Sequence, residues 1–502
     1  MTMEKQFLFV DAANPTWLVY VSVLVLAVFF RFSRLFSVRN LDVLLILLIS
    51  VSLVITSKWK NVPPDSAEPA SWMARLAQVD KPQSTPDSVQ DAQPSDAGSV
   101  VEEPRFHPIY TWSSISLLGF SLLLMIRLIY DESLTRRPRL DQNLNQSGIT
   151  FLCIPAFGLL MCSVFFTDPP DSTMSTIRHG RALLERRDVP TSTAVEGDLP
   201  PAPTETLFAA GAASVVQLSS PVVQHDRNES DEAMVNEILM ALSLVVVAHT
   251  IVVLGLVYIG KTHFGSLQLG LSMSLLYLLL PSTGYHVHQL SHVLPGACLT
   301  WAIASYRKPA VAGVLLGLAS GTLFFAVFLV PLWAVFYGRN GALRFGTSLA
   351  FVAAILVGCL ILTSADTDSF MRKIVTTTNW TVFQLLDETA SSGVPLSQLF
   401  LRIPLGAVFF VMLTAMTVLP RPRNLENLLA NSTALVVAAQ LWYPDDIGTY
   451  VLWYLPLFLL VIFRPRLDRF MPPELVARQS ESITQPITAT PTSSVAMSRL
   501  SL

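Results

Sequence analysis

The feature that most constrains this chain is a series of apolar runs, each long enough to cross a bilayer as a helix. A bilayer core about 30 Å thick needs about 20 apolar residues per helix, and backbone groups in lipid must find their partners within the segment. The runs lie at 16–35, 41–57, 110–130, 149–166, 236–260, 265–283, 290–305, 345–363, 398–419, 427–443 and 447–463. Only 14% of the residues are charged, against roughly 25% in a soluble protein. The pattern predicts an all-α fold, a polytopic transmembrane helical bundle of about 11–13 spans.

The basic residues between these runs predict the orientation, because Lys and Arg collect in the short cytoplasmic loops of membrane proteins. With the N-terminus outside, the basic loops fall inside; they hold Arg31, Arg34, Arg39, Arg136, Arg137, Arg139, Lys261, Arg339, Arg344, Arg421, Arg423, Arg464, Arg466 and Arg469. The acidic segment 58–109 then lies outside, as do 167–235 and 364–397, and the C-terminus is cytoplasmic.

The apolar stretch 309–337 has two interpretations. Arg307 and Lys308 belong inside, yet Arg339 follows after this single stretch. Either 309–337 crosses once and the charge rule fails locally, or it enters and returns as a helical hairpin. We favour the hairpin, because it reconciles every other short loop and because Gly and Pro suit a broken segment.

Composition divides the remaining chain. The predicted parts are an N-terminal transmembrane hairpin (1–57), an outer loop (58–109), a transmembrane pair (110–166), an outer loop with a short amphipathic helix (167–235), a multi-pass core (236–470) and a tail (471–502). The loop 58–109, the Pro-rich region 188–230 and the tail are expected to be disordered, since they cannot bury enough apolar surface to fold.

Charge and cysteine usage limit the partners. The net charge is −3, and there is no basic stripe of the kind that binds nucleic acid. The four cysteines lie in apolar runs without metal-ligand spacing, so we expect small buried hydrophobic side chains. Membrane lipid is the expected partner, no cofactor or metal is expected, and nothing indicates an oligomeric state.

Three histidines form the first candidate site, in the outer turn between the runs 265–283 and 290–305. His286, His288 and His292 lie close together, and His288 and His292 would share a helix face if the second helix starts early. They are either interfacial imidazoles at headgroup level or a site for a phosphate or a sugar hydroxyl. A zinc site is weakly indicated, because no carboxylate or cysteine lies nearby at ligand spacing.

The second candidate site follows the run 149–166. Asp168 and Asp171 precede a short basic amphipathic segment that contains Arg178. This is either a solvated loop with an interfacial helix, or a carboxylate base beside arginines that bind phosphate. Arg402, at the outer start of its run, either snorkels to the interface or meets a lipid phosphate.

Charged residues inside the apolar runs are few, which argues against an ion-driven pump. Asp42 lies at the inner end of its run and Glu237 at the outer end of another. Both are expected to be interfacial.

Residues 265–345 resemble the GT-C superfamily of membrane glycosyltransferases, in particular the bacterial polyprenyl-phosphate-mannose-dependent mannosyltransferases. The matching motifs are Leu278-Leu279-Leu280-Pro281, His292-Val293-Leu294-Pro295, Tyr306-Arg307-Lys308-Pro309, the Gly-rich stretch from Ala312 to Ala319, and Val330-Pro331-Leu332-Trp333. His292 stands where the family usually has Asp.

The resemblance implies a GT-C-like fold in a bacterial inner membrane and transfer of a sugar from a polyprenyl-phosphate donor. It implies that Asp171, followed by Gly180-Arg181-Ala182-Leu183-Leu184, is the general base, with Asp168 as the second choice. His286, His288, His292, Arg178 and Arg402 would then contact the substrate. The alternatives are a non-catalytic membrane scaffold on the same fold, and a transporter or flippase-like protein.

Overall fold

A computed structural model describes residues 15–60, 107–131, 143–167, 169–187, 201–219, 229–322, 324–377, 399–419, 422–442, 448–465, 467 and 470–473. Within these ranges the chain is a bundle of α-helices with short 3₁₀ turns and no strand. The helices are α1 (Pro15–Phe29), α2 (Val38–Trp59), α3 (Pro108–Ile129), α4 (Gln146–Phe166), α5 (Asp171–Glu185), α6 (Pro203–Ser219), α7 (Glu229–Thr262), α8 (Leu267–Leu279), α9 (Pro281–Tyr285), α10 (Leu290–Ala304), α11 (Pro309–Thr322), α12 (Val330–Leu362), α13 (Thr367–Thr377), α14 (Leu399–Val418), α15 (Leu425–Trp442) and α16 (Val451–Phe463). The predicted all-helical class is confirmed for this part of the chain.

In the described ranges, five stretches of helix are long and apolar enough to cross a membrane. They are α2, α3, α4, Met234–Thr262 of α7, and Phe325–Leu362, which includes α12. Six shorter apolar helices, among them α8, α10, α11 and α16, accompany them. Because a helix rises 1.5 Å per residue, the shorter ones reach only about two thirds of a bilayer core. These helices make the chain compatible with a membrane location.

The centre of the bundle is α16. All 13 of its residues are buried, and it packs against α2, α8, α10 and α15. A helix that is apolar on every face has no solvent side and must lie inside a larger assembly of helices. Close approach supports this packing: a Cβ atom at Gly296 of α10 would lie 2.7 Å from the carbonyl oxygen of Leu452.

The two termini of α16 define two ends of the molecule. Tyr450, just before α16, lies beside His286 and His292, and we call this side the histidine end. Arg464, just after α16, joins a buried group of charged side chains, and we call this side the charged end. The predicted orientation, which nothing in the fold tests, puts the charged end in the cytoplasm.

The stretch 309–337 forms a helical hairpin, as favoured from the sequence. Its tip lies at the histidine end, where the rings of Phe325 and Trp453 stack at 4.5 Å. The chain then returns to the charged end, since the ring of Phe336 is 6.5 Å from that of Tyr306. Gly338, with a φ of 72°, makes the turn that follows, a conformation that costs glycine little.

Beyond Gly338, α12 runs back alongside α11 in the same direction. Gly313 of α11 faces the carbonyl of Phe345 in α12. Gly317, one turn further along α11, faces the side chain of Val352, about two turns further along α12. The glycines therefore form a smooth surface that lets the two helices approach closely, which is a common device in membrane bundles.

Residues 203–219 correct the expectation of a disordered region at 188–230. They form α6, which packs against the amphipathic helix α5. A Cβ atom at Gly180 would lie 2.6 Å from the Cβ of Ala209, so small residues allow the two helices to touch. The prediction failed because the prolines on both sides of this apolar segment made the whole region resemble a disordered one. The other segments expected to be disordered, 61–106 within the loop 58–109 and 474–502 in the tail, lie outside the described residues, as do 188–200 and 220–228.

Candidate functional site

Two histidine rings stack at the histidine end. The centroids of His286 and His292 are 4.3 Å apart with an angle of 11° between the planes. Pro281 restricts Leu280 to an extended conformation, which ends α8 and starts the turn that leads to His286. The Nδ1 atom of His286 lies 2.7 Å from the Oε1 atom of Gln289, which holds the ring in place.

The predicted pairing of His288 with His292 on one helix face is not present. Helix α10 begins at Leu290, so His288 lies in the turn before it, and His286 takes the place beside His292. The condition for the shared face, an early helix start, is therefore not met.

A column of aromatic rings continues from the histidine pair. His292 stacks on Tyr450 at 5.2 Å, and Tyr450 stacks on Trp453 at 3.9 Å. Trp453 in turn donates a hydrogen bond from Nε1 to the carbonyl of Ser291, at 3.2 Å. The column packs the start of α16 against the start of α10 and gives the site a rigid wall.

His249 binds the backbone of the histidine turn, a contact that the sequence did not indicate. Its Nε2 atom lies 3.1 Å from the carbonyl oxygen of Val287, and its Nδ1 atom 2.9 Å from the hydroxyl of Tyr277. Because a carbonyl only accepts, Nε2 carries the proton and Nδ1 accepts from the tyrosine. A single histidine inside an apolar run gives no pattern from which this contact could be predicted.

Helix α5 reaches the histidine turn through Thr173. The hydroxyl of Thr173 donates to the carbonyl oxygen of His288 at 3.2 Å. Asp171 is the first residue of α5, two positions before Thr173, and its side chain is exposed. The end of α5 that bears Asp171 therefore lies beside the histidine turn. Separately, burial lowers the pKa of His288, so this imidazole is neutral near pH 7.

Several buried polar atoms at this end have no hydrogen-bond partner within the described part of the chain. They include Ser282 Oγ, Thr283 Oγ1, His288 Nδ1 and His292 Nδ1. A buried polar atom without a partner costs about 1–3 kcal/mol. Such a group of atoms in one turn suits a ligand that supplies oxygen atoms as donors or acceptors.

Arg178 and Arg181 of α5 are both directed to Glu237. The Nη1 atom of Arg181 lies 2.7 Å from Glu237 Oε1, and the Nε atom of Arg178 lies 3.8 Å from Glu237 Oε2. The side chain of Glu237 is partly exposed, and its interfacial position stays a prediction. The arginine proposed from the sequence to bind phosphate therefore shares a carboxylate with its neighbour.

An apolar, partly open cavity of about 240 Å³ lies near the histidine turn. It lies between α1, α4, α8 and α9. Its wall includes Trp17, Tyr20, Pro155, Leu159, Pro281 and Gly284. Pro281 and Gly284 belong to α9, so the short helix that carries Ser282 and Thr283 and leads into His286 forms one wall of the cavity.

At the charged end, five ionisable side chains form one buried network. Arg127 donates to both carboxylate oxygens of Asp42, at 2.8 Å for Nη2 to Oδ2, and also to Asp131. Arg464 bridges Asp131 to Glu426. Asp42 is only 1% exposed, so the other helices enclose its carboxylate, which the sequence did not indicate.

The other predicted residues do not enter the described site. Asp168 lies outside the described residues, and for Arg402 only the backbone, in α14, is described. No group of three His, Cys, Asp or Glu side chains in the described ranges could hold a metal ion.

Comparison with known proteins gives no relative for this chain. No family model matches it, and neither the comparison with curated proteins nor that with solved structures gives a match. The fold and site thus define a helical protein compatible with a membrane, and its function has to be argued from the site alone.

Proposed function

We propose that the protein is a membrane glycosyltransferase of GT-C-like fold that takes a sugar from a polyprenyl-phosphate donor. The observation that carries this proposal is that α9 joins two features: its residues Pro281 and Gly284 line the apolar cavity, and Ser282 and Thr283 between them carry buried hydroxyls without a described partner. A polyprenyl phosphate has the same arrangement, a long apolar chain joined to a compact polar head.

The proposed reaction is an inverting displacement. The acceptor hydroxyl oxygen attacks the anomeric carbon, the bond from that carbon to the phosphate oxygen breaks, and polyprenyl phosphate leaves. Asp171 takes the proton of the acceptor hydroxyl. Its exposed position at the start of α5 is open to an acceptor, as a general base requires. Imidazole and hydroxyl groups of the histidine turn hydrogen-bond the sugar and the phosphate.

The test supplies radiolabelled polyprenyl-phosphate mannose to the purified protein in liposomes and follows transfer to a soluble mannoside acceptor. Asp171→Asn should lower turnover by about 10²-fold or more, the usual contribution of a positioned base. Asp368→Asn is the matched control, because Asp368 is an exposed acid in the first turn of another helix, α13. Equal turnover of the wild type and Asp171→Asn would show that Asp171 is not the general base.

A second variant tests the donor site separately. His292→Phe keeps a ring for stacking between His286 and Tyr450 but removes the ring nitrogens. We expect a higher KM for the donor with a folded protein, and an unchanged KM would exclude His292 from donor binding.

One observation favours a non-catalytic membrane scaffold as the second candidate. Arg178 and Arg181, the cations nearest to Asp171 on its helix, are directed to Glu237, which leaves less positive charge for a departing phosphate. Binding of the labelled lipid without any transfer by the wild type would support this scaffold.

A further inference from the structure

The charged end carries an aromatic cluster that joins four parts of the chain. The ring of Tyr306 lies 5.3 Å from His263, 6.5 Å from Phe336 and 6.5 Å from Phe470. His263 also donates a hydrogen bond from Nε2 to the carbonyl oxygen of Ala304, 2.8 Å away. The connections after α7, after α10, before Gly338 and after α16 therefore meet at one place.

Exposed cations surround this cluster. Arg307 and Lys308 follow Tyr306 directly, Lys261 lies two residues before His263, and Arg339 lies three residues after Phe336; all four are exposed. The guanidinium of Arg307 lies over the rings of Tyr306 and Phe470, at 5.6 and 5.9 Å. We call these four cations the basic patch.

The described acids at this end are engaged inside the bundle. Asp42 and Asp131 are paired with Arg127 and Arg464, and Glu426 is paired with Arg464. Among the described residues, no carboxylate forms an ion pair with a member of the basic patch. Within the described part of the chain, the positive charge of the patch is therefore not paired with a carboxylate.

The position of the patch along the helices indicates what it meets. Lys261 stands in the last turn of α7, where the apolar stretch Met234–Thr262 ends. One turn earlier, Tyr258 is 44% exposed and stacks on Trp301 at 5.5 Å. Exposed aromatic rings followed by cations are typical of the boundary between hydrocarbon and headgroups.

We propose that Lys261, Arg307, Lys308 and Arg339 bind the headgroup of an anionic phospholipid. The phosphodiester accepts hydrogen bonds from the guanidinium and ammonium groups, and the acyl chains lie along Tyr258 and Trp301. The site is separate from the histidine end and does not depend on the function proposed there.

The experiment measures lipid association with the full chain in micelles by the motional restriction of spin-labelled lipids. Since each basic residue near an anionic surface contributes about 1 kcal/mol, we expect phosphatidylglycerol to be preferred over phosphatidylcholine by at least about tenfold at low salt. The variant Lys261→Gln/Arg307→Gln/Lys308→Gln should reduce that preference to about twofold or less. Arg307→Lys, which keeps the charge, should retain most of it.

The matched control removes three charges at the opposite end. Lys58→Gln/Lys60→Gln/Arg187→Gln changes exposed cations at the histidine end and should leave the preference unchanged. An equal loss in the control, or no loss in the patch variant, would overturn the proposal. Displacement of the labelled lipid by inorganic phosphate would also overturn it, because the site would then recognise free phosphate and not a headgroup.

Discussion

Removal of Arg127 tests the energetic role of the buried charge network. Its guanidinium holds both oxygens of Asp42 and one of Asp131, and the side chains of these three residues are 5%, 1% and 1% exposed. Breaking a buried ion pair from one side costs about 3–5 kcal/mol, because a buried charge loses its partner. Arg127→Met should therefore lower the folding equilibrium constant roughly 150- to 5,000-fold.

Removal of both charges separates this cause from lost packing. A buried pair replaced by apolar residues of similar volume is often neutral in stability, so Asp42→Leu/Arg127→Met should be more stable than Arg127→Met alone. The coupling energy from the double-mutant cycle should exceed about 2 kcal/mol. Arg181→Met is the control, since Arg181 is 36% exposed beside Glu237 and such a surface pair contributes about 0–1 kcal/mol.

The assay is reversible unfolding in mixed detergent and sodium dodecyl sulfate micelles, followed by circular dichroism. The reasoning would be refuted by a cost for Arg127→Met no larger than that for Arg181→Met. It would also be refuted by a double variant whose loss equals the sum of the single losses, because the two side chains would then act independently.

Three other predictions concern the α5–α6 pair and the orientation. Gly180→Ala should destabilise this pair by about 1–3 kcal/mol through overpacking, whereas Gly211→Ala, where a Cβ meets nothing within 4 Å, should be neutral or stabilising; limited proteolysis of 171–219 compares them. Burial raises the pKa of Glu205 from 4.5 to about 8; a raised pKa in the folded state stabilises at low pH, and this contribution is lost as the pH rises through about 8. The protection factors of α5 and α6, in which the intrinsic pH dependence of amide exchange is divided out, should therefore fall between about pH 5 and pH 8 in the wild type and stay constant in Glu205→Gln. A reporter fused after Leu502 should be cytoplasmic and one inserted at Ser88 should be external, and the opposite result would invert the orientation.

The helices and the hairpin were predictable because hydrophobic length and charge placement are local properties of a sequence. The hairpin at 309–337 was predicted from the positions of Arg307, Lys308 and Arg339 together with the Gly and Pro residues of the stretch, and the rings of Tyr306 and Phe336 meet as that interpretation requires. Helix starts differed by only a few residues for most runs. The larger difference, at 345–363, arose because α12 includes the returning leg and its Gly338 turn.

The site was less predictable, because its contacts join residues far apart in the chain. Arg127 lies within an apolar run, and a charged side chain there usually has a partner of opposite charge. The sequence does not identify that partner, because Asp42 is 85 residues away. His286 meets His292 because a turn separates them, whereas helical spacing favoured His288. The sequence placed Asp171 and the histidines near one surface, and Thr173 now links α5 to the histidine turn.

The fully enclosed position of α16 has a consequence for biogenesis. Among the described helices α16 comes last in chain order, yet α2, α8, α10 and α15 all pack on it. Those helices are synthesised before their common partner exists. The bundle around α16 therefore closes only after Val451–Phe463 has been made, and a chain cut short before Val451 would leave these helices without a centre to assemble on.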